Sequence, residues 1–278
     1  KTKVKEDAYI THDGTIANPV QLEGKQLTQR KGSVQQVGTK SHGGIDYENQ
    51  TISWTITINA DEQDLRNFVL TDDFSESGQK LVPRSINVDP QINDAQIIPA
   101  EEGFEIRFGD ITSQYTITYQ TTYTYDFNGA KTPNFKNGVH LSYETSDGKP
   151  YSLEFDREVI PNSETKNNGV KNGKVNNETK EITWTVDVNY NQLELMNARL
   201  IDEIDDNQSL VVGSVKVYET TIARNGHIQV GKDVTEQFQD DITTTENLVE
   251  VTFGAIDQSY RVEFITVDKD GIYNAGEV

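Results

Sequence analysis

An alternating pattern of apolar and polar residues occurs twice in this chain and most constrains its fold. Residues 51–59 read TISWTITIN, and residues 181–189 read EITWTVDVN. Strict alternation places apolar side chains on one face of a half-buried β-strand. A second matched pair of alternating segments lies at 114–124 and 259–267. The sequence therefore predicts an all-β protein that contains two copies of one β-domain.

The boundaries of the two copies follow from where the alternation stops. The segment IPNSETKNN at residues 160–168 is rich in Pro, Asn and Ser, which is typical of a linker. We place the first domain at residues 37–162 and the second at residues 163–278. Local helical periodicity predicts one short helical turn in each copy, at 61–67 and 191–197.

Residues 1–36 do not belong to either alternating repeat. Their segment AYITHDGTIANPVQLEG resembles VHLSYETSDGKPYSLEF at 139–155, with a strand, an Asp-Gly turn and a returning strand. We interpret residues 1–36 as an N-terminal hairpin or as the tail of a preceding repeat. Since the second copy lacks such a hairpin, strand exchange with a neighbouring copy is an alternative. The chain begins and ends within a strand pattern, so we read it as a segment of a longer protein.

Composition excludes several classes of function. The net charge of −20 disfavours partners that are nucleic acids or anionic membranes. The chain has no cysteine, so disulfides, thiol nucleophiles and cysteine-bound metals are excluded. No stretch approaches the roughly 18 apolar residues of a membrane span, so membrane insertion is not expected. The absence of cysteine and the single methionine favour an exported protein of a Gram-positive bacterium.

Four chemically distinct residues recur in the same order in both copies. The spacing from Lys to Trp is 14 and 13 residues, and the spacing from Lys to Asp is 32 and 31 residues. The two sets are Lys40, Trp54, Asp72 and Asn137, and Lys171, Trp184, Asp202 and Asn274.

These residue types can form a covalent cross-link without any cofactor. Burial lowers the pKa of a lysine and raises that of an aspartic acid, so a buried pair can share one proton. The free amine then attacks the Asn carboxamide, which the neutral acid polarises through a hydrogen bond, and ammonia leaves. Proximity of the three groups supplies much of the reduction in the barrier. Nearby tryptophans would exclude water.

The order of the motifs resembles the collagen-binding-type domains of Gram-positive surface adhesins. The resemblance implies a variant immunoglobulin-like β-sandwich, with a Lys–Asn isopeptide bond between first and last strands and the Asp as catalytic acid. On that basis Lys40 and Lys171 are the nucleophiles, Asn137 and Asn274 the electrophiles, and Asp72 and Asp202 the acids. The motifs are Lys40 with Gly43, Ile52–Trp54, Leu70–Asp72, Tyr115–Thr121 and Phe135–Asn137, then Lys171 with Gly173, Ile182–Trp184, Leu200–Asp202, Tyr260–Thr266 and Ile272–Asn274.

Two alternatives to this assignment stay open. Lys31 and Lys166 are rival lysines, and the second copy has Ile272 where the first has Phe135. Alternatively, Lys40 and Lys171 are surface lysines, and the Asp and Asn residues only end strands.

The predicted function is that of a non-enzymatic adhesin segment, extracellular and cell-wall anchored, that acts as a stalk or binds a host matrix protein such as collagen. No cofactor and no metal site is predicted, and the acidic turns at 202–207 and 268–271 are read as solvated loops. The alternative is a carbohydrate-binding or accessory module of an extracellular enzyme. Its only indication is a tyrosine cluster: Tyr115, Tyr119, Tyr123 and Tyr125. A hydrolase has no supporting motif.

Overall fold

A computed structural model describes residues 37–93, 96–125 and 134–269 in full, and between residues 9 and 33 it describes only the backbone of short strands. None of the helices in these parts is both long and apolar enough to cross a membrane. The chain divides into two compact units. The first comprises Lys1–Gly43, Ser53–Thr122 and Lys136–Glu158, and the second comprises Gly44–Ile52, Tyr123–Phe135 and Val159–Val278.

The N-terminal region contains paired short strands, as predicted for a hairpin. The first two strands are antiparallel, with Tyr9 opposite Ala17. The strands are β1 (Tyr9–Ile10), β2 (Thr15–Ala17), β3 (Val20–Leu22), β4 (Lys25–Leu27) and β5 (Gly32–Ser33).

The next ten strands form two sheets. The first sheet has the order β10-β13-β7-β6, with β9 also paired to β13, and the second has the order β11-β12-β8-β14-β15. The strands are β6 (Gly38–Asp46), β7 (Thr51–Ile58), β8 (Leu65–Asp73), β9 (Gln79–Leu81), β10 (Asn87–Asp89), β11 (Ile97–Ala100), β12 (Gly103–Ile111), β13 (Tyr115–Tyr123), β14 (Phe135–Thr145) and β15 (Pro150–Val159).

The core of the first unit lies between these two sheets. Trp54, Ile56 and Ile58 alternate along β7 and are each at most 1% exposed. The Tyr119 ring of the first sheet meets Phe104 of the second sheet edge-on, with centroids 4.8 Å apart. Apolar faces of two sheets that pack against each other define a β-sandwich.

The second unit repeats this arrangement of two sheets in the residues that the structure describes. One sheet has the order β16-β17-β24-β20-β21, with β19 also paired to β24, and the other has the order β18-β23-β22. Both sheets contribute to one core, which includes Val217, Val251 and Phe264. The strands are β16 (Gly169–Asn176), β17 (Glu181–Val188), β18 (Leu195–Glu203), β19 (Gln208–Leu210), β20 (Lys216–Ile222), β21 (Ile228–Asp233), β22 (Ile242–Thr245), β23 (Leu248–Ile256) and β24 (Ser259–Asp268).

The repeat extends to irregular details of the backbone. Gly109 in β12 and Gly254 in β23 have φ angles of 74° and 70°, and each pairs at a shift of strand register. A β-bulge position with positive φ favours glycine, because glycine has no Cβ atom to clash. The two copies therefore keep the same bulge at the same place.

The predicted helical turns were wrong. β8 already begins at Leu65 and β18 at Leu195, and turn or coil precedes each strand, so neither segment contains a helix. Tight turns with positive φ at Asn59 and Asn189 precede them, which the helical reading missed. The α-helix of the described residues, α1 (Ser163–Asn167), instead lies within the predicted linker. Short 3₁₀ helices cover Ser75–Ser77 and Thr235–Asp241.

Candidate functional site

Three of the predicted residues meet in the core of the first unit. Lys40 lies on β6, Asp72 on β8 and Asn137 on β14, so both sheets contribute. The residues are 2%, 1% and 0% exposed. Asp72 points inward because it shares a face of β8 with Leu70, and Asn137 points inward because it alternates with Phe135 on β14. The alternative in which Lys40 is a surface lysine is wrong.

The side chains form a closed cycle of hydrogen bonds with a fourth residue, Tyr119 of β13. The Lys40 ammonium donates to Asp72 Oδ2 at 2.5 Å and also to Asn137 Oδ1. The Tyr119 hydroxyl donates to Asp72 Oδ1 at 2.8 Å and accepts from Asn137 Nδ2 at 2.8 Å. We call Lys40, Asp72, Tyr119 and Asn137 the Lys40 cluster.

The surroundings of the Lys40 cluster shift the pKa values in the direction that cross-linking needs. Burial lowers the pKa of Lys40 to about 8, and the neighbouring Asp72 only partly offsets this effect. Burial also raises the pKa of Asp72, against the opposing influence of Lys40. Aromatic rings form the walls, since Lys40 Nζ lies 5.2 Å from the Trp54 ring and 5.6 Å from the Tyr119 ring. A neutral amine and a neutral acid are therefore accessible near neutral pH.

Tyr119 is the residue that sequence reasoning missed. The pattern YTITY at residues 115–119 was read as a strand and its tyrosines as a possible carbohydrate-binding cluster, so the Tyr119 hydroxyl was given no role in the cross-link. Direct hydrogen bonding of the acid to the Asn carboxamide was expected, but the Tyr119 hydroxyl stands between Asp72 and Asn137. The available signal was that this tyrosine alternates in phase with the core residue Ile117.

A second chain of hydrogen bonds holds the strand that carries Asn137. Trp54 Nε1 donates to Thr121 Oγ1 at 3.0 Å, and Thr121 Oγ1 donates to Gln79 Oε1 at 2.7 Å. Gln79 Nε2 then donates to the backbone carbonyl of Lys136 at 3.0 Å. The core tryptophan is thereby connected to the residue that precedes Asn137.

The second unit contains a related but more open site. Lys171 Nζ lies 2.9 Å from Asp202 Oδ1 and 4.5 Å from the Trp184 ring. The Lys171 side chain is 42% exposed, whereas that of Asp202 is 7% exposed. Phe264 stands where the first unit has Tyr119, because each lies two residues before the threonine that accepts from the tryptophan indole. Asn274, the predicted electrophile, lies outside the described residues.

The remaining candidate residues lie elsewhere. Lys166 donates to Asn134 Oδ1 at 3.3 Å, and Lys31 lies outside the described residues. Within the part of the chain that the structure describes, no group of three or more His, Asp or Glu side chains is placed to hold a metal ion. Of the tyrosines that suggested a carbohydrate platform, Tyr123 and Tyr125 are buried like Tyr119, and only Tyr115 is partly exposed.

Comparison with known proteins gives one match that covers most of the chain. The sequence profile of the collagen binding domain matches residues 36–150 and again residues 166–274. The chain belongs to the collagen-binding domain family. The resemblance inferred from the motifs is thus confirmed, as is the fold class of two tandem immunoglobulin-like β-sandwiches with an N-terminal hairpin.

Solved structures with the same description are similar at low identity. The collagen binding subdomain of the Enterococcus faecalis surface protein ACE is 17% identical, with a TM-score of 0.36, and the match covers 45% of this chain and 97% of that one. The collagen-binding domain of a Staphylococcus aureus adhesin is 15% identical, with a TM-score of 0.35 and coverages of 45% and 97%. The family assignment rests on the profile match and not on these likenesses. A search of curated proteins found no match.

Proposed function

We propose that this chain is a non-enzymatic segment of a Gram-positive surface adhesin whose first unit is closed by an isopeptide bond between Lys40 and Asn137. The observation that carries the proposal is the Lys40 cluster, in which a buried amine contacts both a buried acid and a buried carboxamide. Asp72 is the acid. The bond closes a loop of 97 residues between strands of opposite sheets.

The reaction needs no group from outside the cluster. Asp72 takes a proton from Lys40, and the free amine adds to the Asn137 carboxamide carbon. Ammonia leaves, and an amide remains between the two side chains. The groups are held in contact by strands that pair throughout the sandwich, so proximity lowers the barrier. Burial lowers the Lys40 pKa to about 8, so a fraction of the amine is neutral near neutral pH.

The second unit is proposed to carry the corresponding bond between Lys171 and Asn274, with Asp202 as acid. Support comes from the short contact of Lys171 with Asp202 and from the tryptophan beside it. Because Lys171 is more exposed than Lys40, water can hydrogen-bond its amine in place of the partner side chains. We therefore expect this bond to form more slowly.

The proposed location is extracellular and cell-wall anchored, and the proposed partner is collagen or a similar host matrix protein. Support comes from the family match in both repeats. The solved collagen-binding domains named above are described as parts of a surface protein and of an adhesin. Strand exchange with a neighbouring copy stays a prediction, because residues 1–36 are described only in part.

Two measurements test the proposal. Intact-mass spectrometry of the purified chain should show the loss of one ammonia per bond, and peptide mapping should find Lys40 joined to Asn137. Lys40→Met should not form this link, so its chain should lose one ammonia fewer than the wild-type chain. Lys136→Met is the matched control, because Lys136 is exposed and pairs with Asp156 at the surface.

The adhesive function has a separate test. Immobilised fibrillar collagen should retain the wild-type chain from solution more strongly than an unrelated acidic β-sandwich protein of similar net charge. For the mass measurement, a wild-type chain that has lost no ammonia would contradict the isopeptide proposal. Retention no greater than that of the control would contradict collagen binding and leave a spacer as the role of the segment.

A further inference from the structure

We propose that the Tyr119 hydroxyl carries a proton from Asp72 to the departing nitrogen of Asn137. The inference rests on the isopeptide bond proposed above, because only that reaction makes the Asn137 nitrogen a leaving group. It assigns a catalytic role to a residue whose conventional reading is that of a core tyrosine.

The geometry provides an unbroken path between nucleophile and leaving group. Lys40 Nζ contacts one carboxylate oxygen of Asp72, at 2.5 Å. The other carboxylate oxygen contacts the Tyr119 hydroxyl at 2.8 Å, and that hydroxyl contacts Asn137 Nδ2 at 2.8 Å. Each distance is within hydrogen-bond range, so each is short enough for proton transfer.

The proton balance of the reaction fits this path. The Nζ–Cγ bond forms and the Cγ–Nδ2 bond breaks. Of the two protons on the neutral Lys40 amine, one stays on the new amide and the other must reach the leaving nitrogen. At this stage Asp72 is the neutral acid and carries its proton on Oδ1, beside Tyr119. Asp72 accepts the Lys40 proton at Oδ2 and releases the Oδ1 proton to Tyr119, which releases its own to Nδ2. Asp72 and Tyr119 end in the protonation states in which they began.

No other described group can deliver this proton as directly. The hydrogen-bond partners of the Asn137 side chain in the described structure are Lys40, on the oxygen, and Tyr119, on the nitrogen. Direct transfer from Lys40 to Nδ2 would pass through a strained four-membered arrangement. An amide nitrogen leaves only after protonation, and the buried cluster holds the proton source next to it. The tyrosine therefore stands at the step that needs an acid.

The second unit provides a natural contrast. Its corresponding residue is Phe264, whose ring lies 5.9 Å from Lys171 Nζ, close to the 5.6 Å between the Tyr119 ring and Lys40 Nζ. The aromatic wall is kept but the hydroxyl is absent. The missing hydroxyl is therefore a second reason, besides the exposure of Lys171, to expect slower cross-linking in the second unit.

The test follows ammonia loss during folding. The full chain is isolated in unfolded form, diluted into folding buffer, and sampled over time by intact mass and peptide mapping of the Lys40–Asn137 link. Tyr119→Phe should slow formation of this link by about 10²-fold or more, the usual range for loss of an acid–base group. Tyr115→Phe is the matched control, because Tyr115 lies on the same strand and packs on Phe108 outside the cluster.

The outcomes separate this inference from the proposed function. If the wild-type chain never loses ammonia, the proposed function fails and the role of Tyr119 fails with it. If wild type and Tyr119→Phe form the link at the same rate, only the inference is overturned. If Tyr119→Phe does not fold, 3-fluorotyrosine at position 119 keeps the hydroxyl and lowers its pKa. The rate of link formation should then differ from that of the wild-type chain, because the more acidic hydroxyl passes its proton at a different rate, and an unchanged rate would overturn the inference.

Discussion

The Lys40 amine and the Asp72 carboxylate lie 2.5 Å apart, and both side chains are wholly buried. An isolated buried ion pair adds little to stability, because the loss of hydration offsets most of the attraction. The pair lies instead where two sheets meet and where the Asn137 carboxamide is within contact. The arrangement is better explained by the reactivity of the pair than by its contribution as a salt bridge.

The first prediction concerns thermal stability. Closing a loop of 97 residues should raise the free energy of unfolding by about 4–5 kcal/mol on the chain-entropy estimate. Lys40→Met removes the bond with little change in volume, so the first unit should melt on the order of 10–20 °C lower. Calorimetry of the full chain measures this difference. Lys136→Met should leave the melting temperature within about 2 °C, and equal melting of all three proteins would contradict a cross-link in this unit.

The second prediction is a bell-shaped pH dependence for the rate of cross-linking. The reaction needs one proton shared between Lys40 and Asp72. Above the Lys40 pKa of about 8 the pair loses that proton, so the acid is absent and the rate should fall as pH rises. At low pH both groups are protonated and the amine is blocked, so the rate should also fall. Because burial raises the Asp72 pKa, this acid limb should lie above the usual range of an aspartic acid.

Refolding of the unfolded chain across pH 5 to 10, with intact mass as the readout, checks this profile. A rate that keeps rising above pH 9 would show that only the free amine matters and that Asp72 is not needed as an acid. Asp72→Asn should nearly abolish the reaction at every pH, because it retains the shape of the side chain but removes the acid.

The extent to which the sequence predicts this site depends on the kind of information required. Period-2 alternation places Asp72 and Asn137 on inward faces, and the duplicated order singles out Lys40 together with them among many polar residues. The role of Tyr119 could not be predicted in the same way, because a tyrosine in a core strand looks the same whether its hydroxyl is used or not. Only the packing of the two sheets against each other shows that its hydroxyl reaches Asp72 and Asn137.

The same limit applies to the turns. Asn59 and Asn189 were read as parts of strand ends followed by helical turns, but each has positive φ, and its side-chain amide bonds the backbone carbonyl four residues on, at Gln63 and Leu193 respectively. Asparagine at such positions replaces a backbone turn by side-chain hydrogen bonds. Periodicity over a short window does not distinguish this from one turn of helix.

The third prediction compares the tryptophan–threonine–glutamine chains of the two units. Thr121→Val leaves the buried Trp54 N–H and the Gln79 amide oxygen without their partner, which should cost about 1–3 kcal/mol. Thr266→Val should cost less, because Trp184 and Gln208 are partly exposed and water can replace the threonine hydroxyl.

The chain has two tryptophans, one in each unit, so each unit has its own fluorescent reporter. Urea unfolding of Thr121→Val is followed in a Trp184→Phe background and that of Thr266→Val in a Trp54→Phe background, each against its own parent. Equal losses of stability in the two units would contradict the role given to burial.

The last prediction uses two glycines that face the same residue from opposite sides. Gly103 of β12 and Gly138 of β14 both pair with Asp73 of β8. A Cβ atom at Gly103 would lie 2.4 Å from the backbone carbonyl oxygen of Asp72, whereas one at Gly138 would lie 3.6 Å from that of Asp73. The first distance is a clash with backbone and the second is an ordinary contact.

Gly103→Ala should therefore push β8 away and displace Asp72 from the Lys40 amine. We expect a loss of about 1–3 kcal/mol in the free energy of unfolding, as for other overpacked sites, together with slower loss of ammonia during refolding. Gly138→Ala is the matched control, since it adds the same methyl group beside the same strand and should change neither quantity by much. Equal effects of the two substitutions would mean that the position of Asp72 on β8 does not control the reaction.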